Sequence, residues 1–364
     1  MTTGDPGAGD ALPPLIAAQH RAMPFTRLID GGMDHADARR LLAGAGVGLP
    51  WQDAAAVLAD TQLERARLAE MNGHDVTARQ ARRFAAAALM FAQMAYQTDT
   101  TEKRELYARH TAVTAALVPD VERVEIPHRD GVLGGWLCLP ARPPRATVIV
   151  WGGLSGWGAA YLPVADAYIA RGLACLLAEG PGQGESRLRH GLYVDERVTD
   201  GFARFVDLVE ADPRLGGAIG IQGVSFGGLF AAHLAAADPR VAAVVVNGAP
   251  AVPAVPGFRT AREQMAAVVG TDDLGRVAEV MDGLRFDPDK DRIRCPLLLL
   301  HGGRDPLATY EDQEPFLHAA DPATATVRIW PDGEHTLYNH AAERDALTGD
   351  WFTDHLAGQA NPNR

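Results

Sequence analysis

The sequence of 364 residues contains few of the residue types that most often carry redox or metal chemistry. Its three cysteines, Cys138, Cys175 and Cys295, each lie in or beside an apolar run, which is typical of small buried side chains. A disulfide framework is therefore not expected. The sequence also predicts no metal site and no cofactor.

Long apolar runs and basic clusters are missing as well. No apolar run approaches the ~20 residues that a helix needs to span a bilayer, and residues 1–10 lack the basic-then-apolar order of a signal peptide. A formal net charge of −12 without a basic cluster argues against binding to nucleic acid. We therefore expect a cytoplasmic protein whose partner is a small molecule rather than a membrane or a nucleic acid.

The first part of the chain, up to Val118, is predicted to be helical. Residues 54–71 and 78–96 carry alanine, leucine, methionine and phenylalanine at spacings of three and four without proline, as amphipathic helices do. A third helix is predicted over residues 101–117, and glycines before Ala54 predict short helices and loops there. Residues 1–118 are thus expected to form an N-terminal helical domain.

From Val121 onward, short apolar segments alternate with helical ones, which indicates an α/β fold with a mostly parallel sheet covered on both faces. Residues 119–358 are therefore predicted to form one domain, followed by a frayed tail at 359–364. Residues 250–293 are too long for an ordinary connection, and we expect them to form a cap near the active-site edge. The predicted strands are residues 121–126, 132–139, 147–151, 173–178, 218–221, 241–246, 296–300 and 326–330.

Ser225 is the candidate nucleophile, and it is one of only three serines in the chain. It lies in Gly223-Val224-Ser225-Phe226-Gly227-Gly228, between a predicted strand and a predicted helix. A sharp turn in this setting holds the serine in a strained conformation, which glycines two residues to either side accommodate. The pattern predicts the nucleophile elbow of the α/β-hydrolase fold.

A serine hydroxyl needs a base that is itself oriented by a carboxylate, and in this fold the acid and then the histidine follow the serine. Asp305 lies in the polar turn after the apolar residues 297–300, and His335 lies in the turn after the last predicted strand. We therefore predict a catalytic triad of Ser225, Asp305 and His335. Asp332 is an alternative acid, although it shares a short loop with His335 and suits a turn.

Three other titratable residues lie in or beside these turns. His301 precedes the acid loop and is expected to form a local hydrogen bond. His340 lies in or beside the last helix. Glu334 is expected to contact either substrate or solvent.

Acyl transfer also needs N–H groups that stabilise the developing oxyanion. The residue after the nucleophile, Phe226, is expected to supply one of them. The second is expected from Gly153 or Leu154, in the glycine-rich loop after the strand at 147–151. The sequence leaves the choice between these two residues open.

Two loops begin like cofactor motifs but lack required residues. Residues 180–186, Gly-Pro-Gly-Gln-Gly-Glu-Ser, have the third glycine of a dinucleotide loop one position early. Residues 287–291 begin like a calcium loop, yet Arg292 replaces the turn glycine and Leu298 replaces the closing glutamate. We interpret both segments as structural loops.

Several segments together resemble one branch of the α/β-hydrolases, which contains 2,6-dihydroxypseudooxynicotine hydrolase, fermentation-respiration switch esterase-like proteins and fungal yellowish-green-pigment hydrolases that shorten polyketides. The resemblance extends from about Arg82 to the C-terminus. It implies a hydrolase core, a helical N-terminal lid over Ser225, and a homodimer as one possible assembly. The segments that carry it are Glu105-Leu106-Tyr107, residues 121–127, Gly152-Gly153-Leu154, residues 180–185 and residues 223–228.

After Leu154 the sequence departs from this branch, whose members often continue with an acidic residue, a serine and a downstream lysine. Here Ser155-Gly156-Trp157-Gly158 follows. Trp157 and Tyr161 are expected either to line an aromatic substrate pocket or to pack beneath the lid.

The predicted function is hydrolysis of an activated acyl group through a covalent acyl-enzyme. The resemblance implies cleavage of a carbon–carbon bond next to a ketone, in a β-diketone or aryl ketone of polyketide-like or aromatic type. Hydrolysis of an ester, thioester or lactone, and acyl transfer or cyclisation, would use the same residues. A catalytically inactive ligand-binding protein of this fold is the alternative from a different class.

Overall fold

The computed structural model describes residues 14–215, 217–255, 257 and 259–356. The predicted frayed tail at 359–364 and the segment 1–10 both lie outside these residues. Within the described part of the chain, no helix is both long enough and apolar enough to cross a membrane.

Between residue 14 and the first strand, the structure describes six helices. The fourth and fifth of them are joined by a short turn and pack against each other, and residues 85–92 of the fifth are all buried. The three helices predicted after residue 50 are confirmed, with ends shifted by a few residues. In chain order the six are α1 (Pro14–Ala22), α2 (Phe25–Asp30), α3 (His35–Gly46), α4 (Trp51–Met71), α5 (Asp75–Gln93) and α6 (Thr101–Ala115).

In the described residues that follow, eight strands form one sheet, in the order β1-β2-β4-β3-β5-β6-β7-β8 when numbered along the chain. The antiparallel pairs are β1 with β2 and β2 with β4, and all other neighbours are parallel. The predicted mostly parallel sheet is therefore confirmed. The strands are β1 (Glu122–His128), β2 (Gly131–Cys138), β3 (Thr147–Trp151), β4 (Ala174–Glu179), β5 (Ile219–Val224), β6 (Val241–Asn247), β7 (Leu297–Gly302) and β8 (Ala325–Trp330).

Helices cover both faces of the sheet, which is why β3, β5 and β7 are buried along their whole length. Phe205 and Leu229 pack on one face, and Tyr168 and Phe352 pack on the other. These helices are α7 (Leu162–Ile169), α8 (Gly184–Leu188), α9 (Val198–Ala211), α10 (Phe226–Ala237), α11 (Arg259–Val269), α12 (Leu274–Gly283), α13 (Tyr310–Ala319) and α14 (Ala341–Leu356).

The segment between β6 and β7, where the cap was expected, contains α11 and α12. Met265, Val277 and Met281 of these two helices are buried in the same apolar cluster as α9 and α10. Burial of these side chains anchors the segment on one face of the sheet.

Candidate active site

The carboxyl ends of the parallel strands meet at one edge of the sheet, where α/β proteins usually bind their ligands. Gly152 follows β3, and Ser225 follows β5. Asp305 comes after β7, and His335 comes after β8. The strand order therefore brings four loops from distant parts of the sequence to the same edge.

Ser225 lies between β5 and α10 with a φ of 55° and a ψ of −134°, a conformation that is strained for a residue with a side chain. The flanking glycines allow the turn to be this sharp. A Cβ atom on Gly223 would lie 2.2 Å from the carbonyl oxygen of Gly227, and one on Gly227 would lie 2.2 Å from that of Gly152. The local geometry is that of a nucleophile elbow.

The structure places Ser225, His335 and Asp305 in one chain of hydrogen bonds. His335 Nε2 lies 2.9 Å from Ser225 Oγ, and His335 Nδ1 lies 2.8 Å from Asp305 Oδ2. The Asp305 side chain is fully buried, and that of His335 is 11% exposed. Asp305 Oδ1 also accepts a hydrogen bond of 2.8 Å from the backbone N–H of Leu307. This arrangement can hold the imidazole in the tautomer that accepts a proton from the serine.

The turn that carries His335 has a strained backbone. Thr336 and Leu337 have φ values of 53° and 67°, in the left-handed region that costs roughly 1–2 kcal/mol per residue. Asn247 Nδ2 and Arg344 Nη1 each donate a hydrogen bond of 3.0 Å to the Thr336 carbonyl oxygen. These two bonds offset the strain and fix the turn.

The other titratable residues in and beside these turns lie outside this chain of hydrogen bonds. His301 Nδ1 lies 2.8 Å from Gln313 Nε2, which is the local bond that was expected. Asp332 lies 3.0 Å from His340 Nε2, so the alternative acid is paired with a different histidine. The Glu334 side chain accepts a hydrogen bond from Thr26 of α2, a protein partner rather than the substrate or solvent that was expected.

The loop after β3 runs beside the nucleophile. A Cβ atom on Gly153 would lie 3.1 Å from both Ser225 Oγ and the backbone nitrogen of Phe226. Phe226 is the first residue of α10, so its N–H has no partner within the helix. The Gly152 carbonyl oxygen accepts a hydrogen bond of 2.5 Å from Gln183 Nε2, which fixes the start of the loop.

Trp157 is 0% exposed, so it does not line a pocket, and the alternative in which it packs beneath the helices is the one observed. Its ring contacts Tyr107 of α6 at 5.6 Å between centroids, and the Arg187 guanidinium lies 4.9 Å from the ring centre. Its Nε1 donates a hydrogen bond of 3.0 Å to the Gly153 carbonyl oxygen. Tyr161 is half-buried, beside Gly152.

A buried carboxyl group that was not predicted from the sequence joins the N-terminal helices to the sheet. Glu179, at the end of β4, accepts hydrogen bonds of 2.6 Å from the Tyr107 hydroxyl and 2.7 Å from the Glu185 backbone N–H. Burial raises the pKa of Glu179 to about 7. A charged residue at the end of an otherwise apolar strand was the available signal in the sequence.

The fold and the comparisons with known proteins together define the class: the chain is an enzyme, an α/β-hydrolase. A family model described as "Serine aminopeptidase, S33" matches residues 142–272. The 2,6-dihydropseudooxynicotine hydrolase of Paenarthrobacter nicotinovorans is 27% identical over 368 residues, which cover 94% of each protein. The resemblance indicated by the motifs is therefore confirmed.

Solved structures agree with this assignment. The crystal structure of the 2,6-dihydroxy-pseudo-oxynicotine hydrolase superposes with a TM-score of 0.81 at 25% identity, covering 93% of this chain and 98% of that one. The AbyA5 wild-type structure superposes with a TM-score of 0.66 at 19% identity, covering 92% and 98% of the two chains. At this identity, the similarity to AbyA5 shows a shared fold and nothing more.

Proposed function

We propose that the protein is a serine hydrolase that acts through an acyl-enzyme on Ser225. The observation that carries this proposal is the chain of hydrogen bonds from Asp305 through His335 to Ser225 Oγ. His335 Nε2 takes the hydroxyl proton while Oγ attacks the substrate carbonyl carbon, and the buried Asp305 carboxylate stabilises the imidazolium that forms.

The oxyanion of the tetrahedral intermediate is stabilised by the N–H groups of Phe226 and Leu154. In a trans peptide the carbonyl and the N–H point in opposite directions. Because Trp157 binds the Gly153 carbonyl oxygen, the N–H of Leu154 in the same peptide points away from Trp157. Gly153 itself lies against Ser225 without a side chain. This geometry favours Leu154 over Gly153 as the second donor.

The bond that breaks is a carbon–carbon bond next to a ketone, in a β-diketone or an aryl ketone. Collapse of the tetrahedral intermediate leaves the acyl group on Ser225, and the bonding electron pair departs with the adjacent carbon as an enolate. The His335 imidazolium returns its proton to that carbon. Water, deprotonated by His335, then attacks the acyl-enzyme and releases a carboxylic acid. Similarity over nearly the whole length to a hydrolase of a pseudooxynicotine supports this choice.

The N-terminal helices act as a lid that contributes to substrate selection. Two contacts support this role: Thr26 of α2 binds Glu334 beside the catalytic histidine, and Arg27 Nη2 donates a hydrogen bond of 2.9 Å to Ser155 Oγ beside the oxyanion loop. The helix α2 therefore contacts loops on both sides of Ser225.

The proposal is tested with 1-phenyl-1,3-butanedione, whose enol absorbs in the ultraviolet, and with p-nitrophenyl acetate as the ester. The purified protein should consume the dione and release a ketone and a carboxylic acid in equal amounts. Ser225→Ala should abolish this turnover, and Ser186→Ala, which changes a serine outside the site, should retain it. If the protein hydrolyses the ester rapidly but consumes none of several diketones and aryl ketones, its reaction is ester hydrolysis and the proposed carbon–carbon cleavage is wrong.

A further inference from the structure

Arg27 of α2 brings a permanent positive charge to the edge of the proposed active site. Its guanidinium donates hydrogen bonds of 2.7 Å to the Ala22 carbonyl oxygen and 2.9 Å to Ser155 Oγ. The guanidinium carbon also lies 5.5 Å from the ring centre of Tyr338, and the Tyr338 ring lies 6.0 Å from that of His335. Arg27 is therefore located between the oxyanion loop and the histidine turn.

The charge of Arg27 is not neutralised within the described part of the chain, where no carboxylate lies within salt-bridge distance of it. The side chain is nevertheless half-buried, whereas every other described arginine without a carboxylate partner is exposed. Nearby Arg344 differs, since it binds both Asp30 and Asp345. A partly desolvated charge without a counterion is costly unless a ligand supplies the opposite charge.

Two tyrosine side chains lie beside the loops that Arg27 contacts. Tyr161 and Tyr338 are both half-buried, and neither hydroxyl forms a hydrogen bond with another described residue. A Cβ atom on Gly152 would lie 2.8 Å from the Tyr161 hydroxyl oxygen, so Tyr161 contacts the loop that carries Ser155, the hydrogen-bond partner of Arg27. Burial raises the pKa of Tyr161, so its phenol keeps its proton at neutral pH. Both phenols can donate a hydrogen bond to an anionic oxygen.

We infer that Arg27, Tyr161 and Tyr338 form a subsite for an anionic oxygen group of the substrate, a carboxylate or an ionised enol or phenol. The guanidinium has five N–H groups, and two of them bind Ala22 and Ser155, so three remain for the ligand. This inference rests on the proposed function, because it names the substrate class for the nucleophile Ser225.

The test compares two pairs of esters, and the two ionisation states of one diketone, in which the members differ in charge. On the acyl side, p-nitrophenyl hemiglutarate is compared with the same ester in which the free carboxylate is a carboxamide. On the leaving-group side, 4-acetoxybenzoate is compared with 4-acetoxybenzamide. An ionised enol is tested with 1-phenyl-1,3-butanedione assayed below and above the pH at which it ionises. The readout is the ratio of kcat/KM for the anionic to the neutral form in each pair.

The wild-type protein should prefer the anionic member of at least one pair, and Arg27→Met should lower that preference by about 10- to 100-fold, as for loss of a hydrogen bond to a charged group. Arg27→Lys should keep part of the preference, and Arg27→Glu should reverse it. Arg21→Met, which removes an exposed arginine of α1, should leave the ratio unchanged.

An equal loss of activity toward both members of every pair, or no preference in the wild-type protein, would overturn the subsite. Labelling of Ser225 by a fluorophosphonate separates this result from a failure of the proposed function. A labelled enzyme without charge preference contradicts only the subsite, whereas an unlabelled Ser225 contradicts the hydrolase mechanism.

Discussion

Trp157 Nε1 donates a hydrogen bond to the Gly153 carbonyl oxygen at 3.0 Å, and this bond connects the N-terminal helices to the loop beside Ser225. Trp157 itself packs against Tyr107 of α6. Docking of the helices and orientation of the Gly153–Leu154 peptide therefore depend on the same side chain. Since Leu154 is the proposed oxyanion donor, the packing of the N-terminal helices against Trp157 should affect the catalytic rate.

Replacing Trp157 by phenylalanine should lower kcat about 10-fold or more with little change in KM, because a misoriented oxyanion donor weakens transition-state stabilisation. Steady-state kinetics with an ester substrate measure both constants. The matched control is Trp351→Phe, since Trp351 Nε1 has no hydrogen-bond partner among the described residues. An unchanged kcat in Trp157→Phe would show that the indole bond does not position the donor.

Asp305→Asn should lower kcat about 10³- to 10⁴-fold, because the amide no longer holds His335 in the required tautomer. Asp332→Asn should change kcat less than about threefold, since Asp332 is paired with His340 rather than with His335. Comparison of the two variants discriminates between the two candidate acids. A large loss in Asp332→Asn with a small loss in Asp305→Asn would reverse the assignment.

The parallel sheet and the positions of Ser225, Asp305 and His335 were predictable because each depends on a local pattern. An apolar strand followed by a glycine-rich or polar turn can be recognised within ten residues or so. The contacts of α2 were not predictable in this way. Arg27 and Ser155 are 128 residues apart, and Thr26 and Glu334 are 308 apart, so no local periodicity records their proximity.

Trp157 is a second case in which the sequence left two roles open and the structure was needed to choose between them. Its aromatic character and its position after the glycine-rich loop that follows β3 are compatible with a pocket wall as well as with a buried anchor. Only the packing of α6 and Arg187 against the ring excludes the pocket. Sequence composition does not contain that information, because it depends on how two distant segments dock.

Glu179 should make stability depend on pH. Its pKa rises from 4.5 in the unfolded chain to about 7 in the folded protein, so between these values the folded state keeps a proton that the unfolded state has released. The stabilising contribution is therefore complete below pH 4.5 and is lost as the pH rises through about 7, at up to ~1.4 kcal/mol per pH unit.

Glu179→Gln cannot release this proton, so its free energy of unfolding relative to the wild-type protein should increase between pH 4.5 and 7. Urea denaturation at several pH values measures the difference. Glu105→Gln, at an exposed position of α6, serves as the control and should show no such trend. If the difference in free energy of unfolding between Glu179→Gln and the wild-type protein stays constant across this pH range, the pKa of Glu179 is not raised in the folded protein.

Asp30→Asn should destabilise the protein by about 2 kcal/mol. Arg344 is only 3% exposed and lies 2.7 Å from Asp30, and loss of one partner of a buried pair typically costs about 3–5 kcal/mol. The expected value is smaller because Asp345 still binds the guanidinium at 2.7 Å.

The same variant should also lower kcat, because Arg344 holds the Thr336 carbonyl oxygen in the turn after His335. Asp60→Asn breaks an exposed pair with Arg109 and should cost less than about 1 kcal/mol. Equal stability losses in the two variants would show that α2 is not anchored through Arg344.

Covalent labelling tests whether Ser225 is the nucleophile. After incubation with a fluorophosphonate, intact-protein mass spectrometry should show one adduct, and peptide mapping should locate it on Ser225. Ser225→Ala should remain unlabelled, and Asp305→Asn should be labelled far more slowly. An adduct on Ser155 or Ser186, or no adduct on a folded wild-type protein, would contradict the claim.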